Sequence, residues 1–135
     1  MSNRRIMVVD DEEDILEVAQ VSLEMLGGWD VLTARSGSEG LAKAETEQPE
    51  AILLDVMMPH MDGPTTLRKL QNQAATRGIP VILLTAKVQA ADHNRFVQLG
   101  VSGVITKPFD PLELPHQVAK ILGWQCLAPE RVKHQ

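Results

Sequence analysis

Apolar residues fall along the chain in two alternating patterns, short unbroken runs and longer segments with apolar positions three or four apart, five of each. The runs predict strands over residues 5–9, 29–34, 51–54, 80–84 and 102–106. The amphipathic segments predict helices between and after them. The first helix, 12–26, carries Leu16, Ala19, Leu23 and Leu26 on one face and stops at Gly27-Gly28. The second, 36–48, turns Leu41 and Ala44 inward, and the third, 64–77, turns Leu67, Leu70 and Ala74 inward. The fourth, about 91–99, is the weakest, because Phe96, Val97 and Leu99 form no clean stripe. The last starts at Pro111, with Asp110 and Glu113 as its capping pair and Leu114, Val118, Ile121 and Leu122 at helical spacing. Pro115 then falls about five residues inside that helix, so its first turn is expected to be irregular.

Runs such as Ala51-Ile52-Leu53-Leu54 and Val81-Ile82-Leu83-Leu84 are apolar on both faces. Strands of that kind belong in a parallel sheet covered by helices on each side, and strict β-α alternation says the same. The expected fold class is α/β, a doubly wound parallel sheet. Ligands of such sheets sit beyond the carboxyl ends of the strands. There the first strand delivers Asp10 and Asp11, the third Asp55, the fourth Thr85 and the fifth Lys107. The second ends in Ala34-Arg35-Ser36, a plain helix cap.

Length and charge narrow the functions open to such a site. The 135 residues suit one domain, expected over 1–123 with a short tail over 124–135 too small to fold as an output domain. The net charge of −5, without a Lys/Arg cluster, argues against nucleic acid as a partner. The apolar run after the basic start is too short for a secretory signal or a membrane anchor, and a single cysteine, Cys126, excludes an internal disulfide. A cytoplasmic protein is expected. Gly37 and Gly40 lack the Gly-Lys-Ser/Thr of a phosphate-cradling loop, and His60, His93, His116 and His134 show no ligand spacing.

Three convergent carboxylates repel one another unless a cation joins them. An all-oxygen set with room for water and phosphate suits Mg²⁺, the expected cofactor. With Lys107 the metal balances the three acids and lets the site take a phosphoryl group, and a carboxylate can be the nucleophile. Asp55, held at the end of a central strand, is the chosen acceptor; the pair Asp10-Asp11 holds the metal and Thr85 donates a hydrogen bond. Either aspartate of that pair could instead merely cap the first helix.

Val8-Val9-Asp10-Asp11-Glu12, Leu53-Leu54-Asp55-Val56-Met57-Met58-Pro59, Met61-Asp62-Gly63, Leu84-Thr85-Ala86 and Thr106-Lys107-Pro108-Phe109 occur in this order. Together, over about residues 4–123, they resemble the response-regulator receiver domains of two-component signalling. The resemblance implies a flavodoxin-like sheet in the order 2-1-3-4-5. It also implies phosphorylation of Asp55 by a histidine kinase or histidine phosphotransfer protein, Mg²⁺ on Asp10, Asp11, Asp55 and the Met57 backbone carbonyl, and a cis Lys107-Pro108 peptide. Met57 and Lys87 flank the acceptor where receivers tune the access of water, and a bulky pair is expected to slow hydrolysis. In one respect the sequence departs from the family. Receivers usually carry Tyr or Phe three residues before the lysine, where this chain has Val104.

The expected protein is thus a stand-alone phosphoacceptor switch, catalysing only its own phosphorylation and dephosphorylation. It signals by contact with a downstream target protein, with a phosphorylation-dependent homodimer as one form of contact. An intermediate carrier in a phosphorelay is the alternative, and a phosphorylation-independent binding module is less favoured because no site residue is missing. Haloacid-dehalogenase-like phosphatases place a second Asp two residues after the nucleophile, where this chain has Met57.

Overall fold

The computed structural model describes residues 4–57, 63–86, 96 and 98–127. Five parallel strands, β1 (Arg5–Val9), β2 (Asp30–Ala34), β3 (Ala51–Asp55), β4 (Val81–Thr85) and β5 (Gly103–Thr106), form one sheet in the order β2-β1-β3-β4-β5. The doubly wound fold and its strand order are as the sequence implied. Each strand lies within a residue or so of its expected bounds; for the central strands β1, β3 and β4 the reason is that an apolar run flanked by polar residues marks a doubly buried strand at both ends.

Helix α1 (Glu13–Ser22) continues into a wider π-helical turn, Leu23–Gly27, that stops at Gly28 in the left-handed region, φ 76°. Helix α2 (Gly37–Glu47) starts at Ser36, whose hydroxyl accepts the Glu39 N–H at 3.1 Å. Glu39 in turn accepts the Arg35 N–H at 3.0 Å, closing the turn reciprocally. Helix α3 spans Gly63–Asn72, and the C-terminal helix, α4, Leu114–Leu122. One face of the sheet packs Ile6, Val8, Leu53, Ile82 and Leu84 under α1 and α4; the other packs Met7, Val9, Ile52, Leu54 and Leu83 under α2 and α3. Among the described residues no helix is long and apolar enough to cross a membrane.

The structure corrects the sequence reading at two helices. Helix α3 ends at Asn72 rather than Arg77, which leaves Ala74 exposed instead of buried. The buried Thr76 hydroxyl donates to the Leu70 carbonyl at 2.6 Å, taking the acceptor that a continuing helix would offer to Ala74. Pro115 lies in the first turn of its helix, because that helix begins at Leu114, not Pro111. There its missing N–H has no carbonyl to lose, so the proline fits without distortion. Asp110 does close the preceding turn, accepting the Leu112 N–H at 2.9 Å.

The helix expected over 91–99 lies largely outside the described residues. So do Met58, Met61, His60, Lys87, His93, His134 and the tail from residue 128. Residues 124–127 are packed on the body: Trp124 meets Trp29 edge to face at 5.1 Å, and the Leu127 N–H donates to the Gly27 carbonyl at 3.1 Å.

Candidate functional site

Parallel strands all expose their carboxyl ends at the same edge, and β1 and β3 are adjacent there, so the residue after Val9 stands next to the last residue of β3. Those residues are Asp10 and Asp55, with side chains 0% and 5% exposed. Asp11 follows Asp10 on the surface, and one oxygen from each of the three carboxylates lies within 4.8 Å of the others. Lys107 enters from the end of β5. Its Nζ stands 2.7 Å from Asp10 Oδ2 and 3.1 Å from Asp55 Oδ1. Its backbone N–H donates to the Thr85 carbonyl at 2.7 Å, tying the lysine loop to the end of β4. Thr85 is itself buried and faces Thr106 in the register between β4 and β5. The Lys107-Pro108 peptide is cis.

Asp10 does two things at once. Its Oδ1 accepts the Glu12 N–H at 2.9 Å, turning the chain from β1 into α1, which is the capping role weighed against a functional one. Its Oδ2 points into the site, is buried, and meets Lys107 by ionic contact without hydrogen-bond geometry. A buried carboxylate oxygen lacking a hydrogen bond is costly and needs a cation or donor to offset it.

The site carries more negative charge than its lysine can balance. Burial, and then the nearby Asp10, push the Asp55 carboxyl above its usual value, against the opposing pull of Lys107 and a hydrogen bond from the Met57 backbone N–H. Burial works to lower the Lys107 ammonium, but its close contacts with the Asp10 and Asp55 carboxylates and their negative charges outweigh it and leave its pKa raised. Three carboxylates against one ammonium leave two negative charges, the complement of a divalent ion. Oxygens on opposite sides of an octahedral Mg²⁺ lie about 4.2 Å apart, from metal–oxygen distances near 2.1 Å. The acid triad therefore fits such an ion.

Sequence reasoning did not single out the part Gly63 plays. Its N–H donates to the Val56 carbonyl at 2.9 Å, and a Cβ there would lie 2.6 Å from the Asp55 carbonyl oxygen. Only glycine lets α3 start so close under the acceptor strand. The visible signal was Met61-Asp62-Gly63, one of the segments that carry the family resemblance. The Met57 side chain is 76% exposed and takes no part in the acid cluster. Val104 pairs with Leu83 and, like Phe96 and Val101, packs against the core under α2 and α3, with aliphatic carbon at the position where receivers usually carry an aromatic ring.

Residues 6–119 match the protein family described as Response regulator receiver domain. The alkaline phosphatase synthesis transcriptional regulatory protein PhoP of Bacillus subtilis is 44% identical over 120 residues, which are 89% of this chain and 49% of that protein. The response regulator PleD of Caulobacter vibrioides is 39% identical over 126 residues, 93% of this chain and 28% of the relative. The chain spans about half the length, or less, of these curated relatives. The chemotaxis response regulator CheY4 of Vibrio cholerae superposes with a TM-score of 0.83 at 28% identity, covering 89% of this chain and 99% of that one. The N-terminal domain of a response regulator receiver protein from Methanoculleus marisnigri gives 0.73 at 36% identity, covering 92% and 100%. A two-layered helical cover over a 2-1-3-4-5 sheet, an acid cluster at its carboxyl edge and these matches agree: the chain belongs to the response regulator receiver domain family of two-component signalling.

Proposed function

We propose that Asp55 is the phosphoacceptor of this receiver and takes its phosphoryl group from a phosphohistidine on a histidine kinase or phosphotransfer protein. An Asp55 carboxylate oxygen forms the new P–O bond as the P–N bond to the donor imidazole breaks, and the departing ring nitrogen takes up a proton. The observation that carries this reading is the position of the Lys107 ammonium, within 3.1 Å of both buried acids at the sheet edge.

Each neighbour has a part in that step. Asp10, Asp11, Asp55 and the Met57 carbonyl would hold Mg²⁺, which supplies positive charge for the phosphoryl oxygens when bound. Lys107 lies beside Asp55 already, so its ammonium can pass from a carboxylate oxygen to a phosphoryl oxygen with little movement. The Thr85 hydroxyl donates to a further oxygen. Because Thr85 accepts from the Lys107 backbone, a shift of either residue moves the loop at the end of β5. With Val104 in place of a ring, the change leaves through that backbone to a contacting protein rather than through a swinging side chain.

Incubating the protein with acetyl phosphate and Mg²⁺ tests the reading by intact mass. One phosphoryl group should be gained, absent in Asp55→Ala, without sustained release of inorganic phosphate from excess donor. Turnover in many-fold excess over protein would instead point to a phosphatase. Unchanged gain in Asp55→Ala would move the acceptor elsewhere.

A further inference from the structure

Between Lys107 and α4 the chain crosses a short loop that is poor in backbone donors. Pro108 and Pro111 have no N–H, and Pro108, Asp110, Pro111 and Leu112 are exposed. At its start the loop is held by the bond from the Lys107 N–H to the Thr85 carbonyl. Its far end is bonded to itself: the Asp110 carbonyl accepts the Glu113 and Leu114 N–H groups at 2.9 Å, and the Asp110 side chain accepts the Leu112 N–H. Phe109 rests on the core, but apolar contact is non-directional and does not set the register of a loop. A directional tie comes from the neighbouring helix. The Ser22 hydroxyl, at the end of α1, donates to the Pro111 carbonyl.

Ser22 is 5% exposed and sits among Leu16, Ala19 and Leu23 of the core, where a hydroxyl is costly without an acceptor. The π-helical turn begins at the next residue, Leu23, and such turns are rare and concentrate at functional positions. From Pro111 back to Lys107 the chain has four peptide links, with φ fixed by a ring at Pro108 and at Pro111, so it passes a displacement on rather than absorbing it. Lys107 Nζ stands 2.7 Å from Asp10 and 3.1 Å from Asp55, so a shift of about 1 Å takes it out of hydrogen-bonding range.

We infer that Ser22 is a positioning residue for the acid site: its bond to Pro111 fixes the loop that carries Lys107 and so holds the ammonium between Asp10 and Asp55. In the phosphoryl step this places the cation where the incoming oxygens need it, a part that rests on the acceptor role proposed for Asp55. The placing of the lysine does not rest on it.

Thr76 supplies the matched comparison. It too is a buried hydroxyl donating to a backbone carbonyl, that of Leu70, but it lies on the approach to β4, at the amino edge of the sheet. Trace acetic anhydride, without metal or phosphodonor, reads the lysine directly. Labelling of Lys107 relative to the exposed Lys69, mapped by mass, should rise several-fold in Ser22→Ala. It should stay at the wild-type value in Thr76→Ala and in Ser22→Thr, which keeps the hydroxyl. With acetyl phosphate and Mg²⁺ the rate of phosphoryl gain should fall about tenfold in Ser22→Ala alone, the order expected of a misplaced catalytic group. Unchanged labelling in Ser22→Ala overturns the inference, as does an equal rise in Thr76→Ala, which would mean general loosening, or in Ser22→Thr. An unaltered rate of phosphoryl gain beside a released lysine overturns the part in the reaction. A wild-type protein that gains no phosphoryl group sinks the acceptor role instead, and labelling alone then decides the tie.

Discussion

The two ends of the sheet use the same pairing of acid and cation under opposite conditions. At the amino end Arg4 meets Glu50 at 3.0 Å and Arg5 meets Glu47 at 3.1 Å, with every side chain 37–48% exposed. At the carboxyl end Lys107 meets Asp10 and Asp55 at similar distances, with no side chain more than 14% exposed. Water screens the first set, charges are balanced one for one, and each pair contributes little. In the second set acids outnumber the cation and a buried oxygen goes without a hydrogen bond. Similar distances thus mean different things: the amino end is a surface tie, whereas the carboxyl end holds strained charge for a ligand to relieve.

Four measurements sharpen or break this contrast. Removing the lysine has the largest expected effect. Lys107→Met should lower the unfolding free energy by about 3 kcal/mol in urea at pH 7 without metal, because two buried acids lose their shared partner. A loss as small as that of an exposed pair would erase the distinction between the ends. Adding Mg²⁺ comes next. At a hundredfold excess over its Kd it should stabilise the protein by about 2.7 kcal/mol, read as a rise in Tm, and Asp11→Ala should blunt the rise.

The third measurement is the pH dependence of stability. Burial and Asp10 raise the Asp55 pKa above 3.8, so just above that value the folded protein keeps a proton the unfolded chain has released. Stability from this group is therefore present below pH 3.8 and lost as pH rises through the folded-state value. Asp55→Asn should flatten that part of the metal-free curve. Lys107 acts in the alkaline range: its raised pKa adds stability below about 10.5 that is lost as pH rises through the folded value. The smallest effect belongs to the amino end. Arg5→Ala should change stability by about 1 kcal/mol at most, with the difference shrinking in high salt. A change of several kcal/mol would show the surface pair to be the equal of the buried one.

Much of this organisation could be read from residue order alone. Strand ends were legible because doubly buried strands are apolar throughout, so the first ionisable residue after each run marks the sheet edge. Asp10, Asp11, Asp55 and Lys107 meet there for that reason, whatever their separation in the chain. What escaped was set by single tertiary contacts. No pattern announces that the Thr76 hydroxyl will claim the Leu70 carbonyl and end α3 early, or that Gly63 must pass within contact of the Asp55 backbone. The misreading at Pro115 came from one boundary: with the helix start moved from 111 to 114, a disruptive proline becomes a favoured one. The docking of Trp124 on Trp29 was equally invisible, since Trp124 lies past the last predicted helix and Trp29 merely opens the second predicted strand.

That last contact has a practical consequence. The chain has two tryptophans and no tyrosine, and both indoles lie together at the amino end of the sheet, a strand's length of about 17 Å from the acids. Ultraviolet-excited emission from this protein therefore follows whether the body is intact and is nearly blind to what occupies the opposite pole. A titration that leaves the spectrum flat says nothing about an empty pocket, while a denaturation curve taken the same way is free of interference from it.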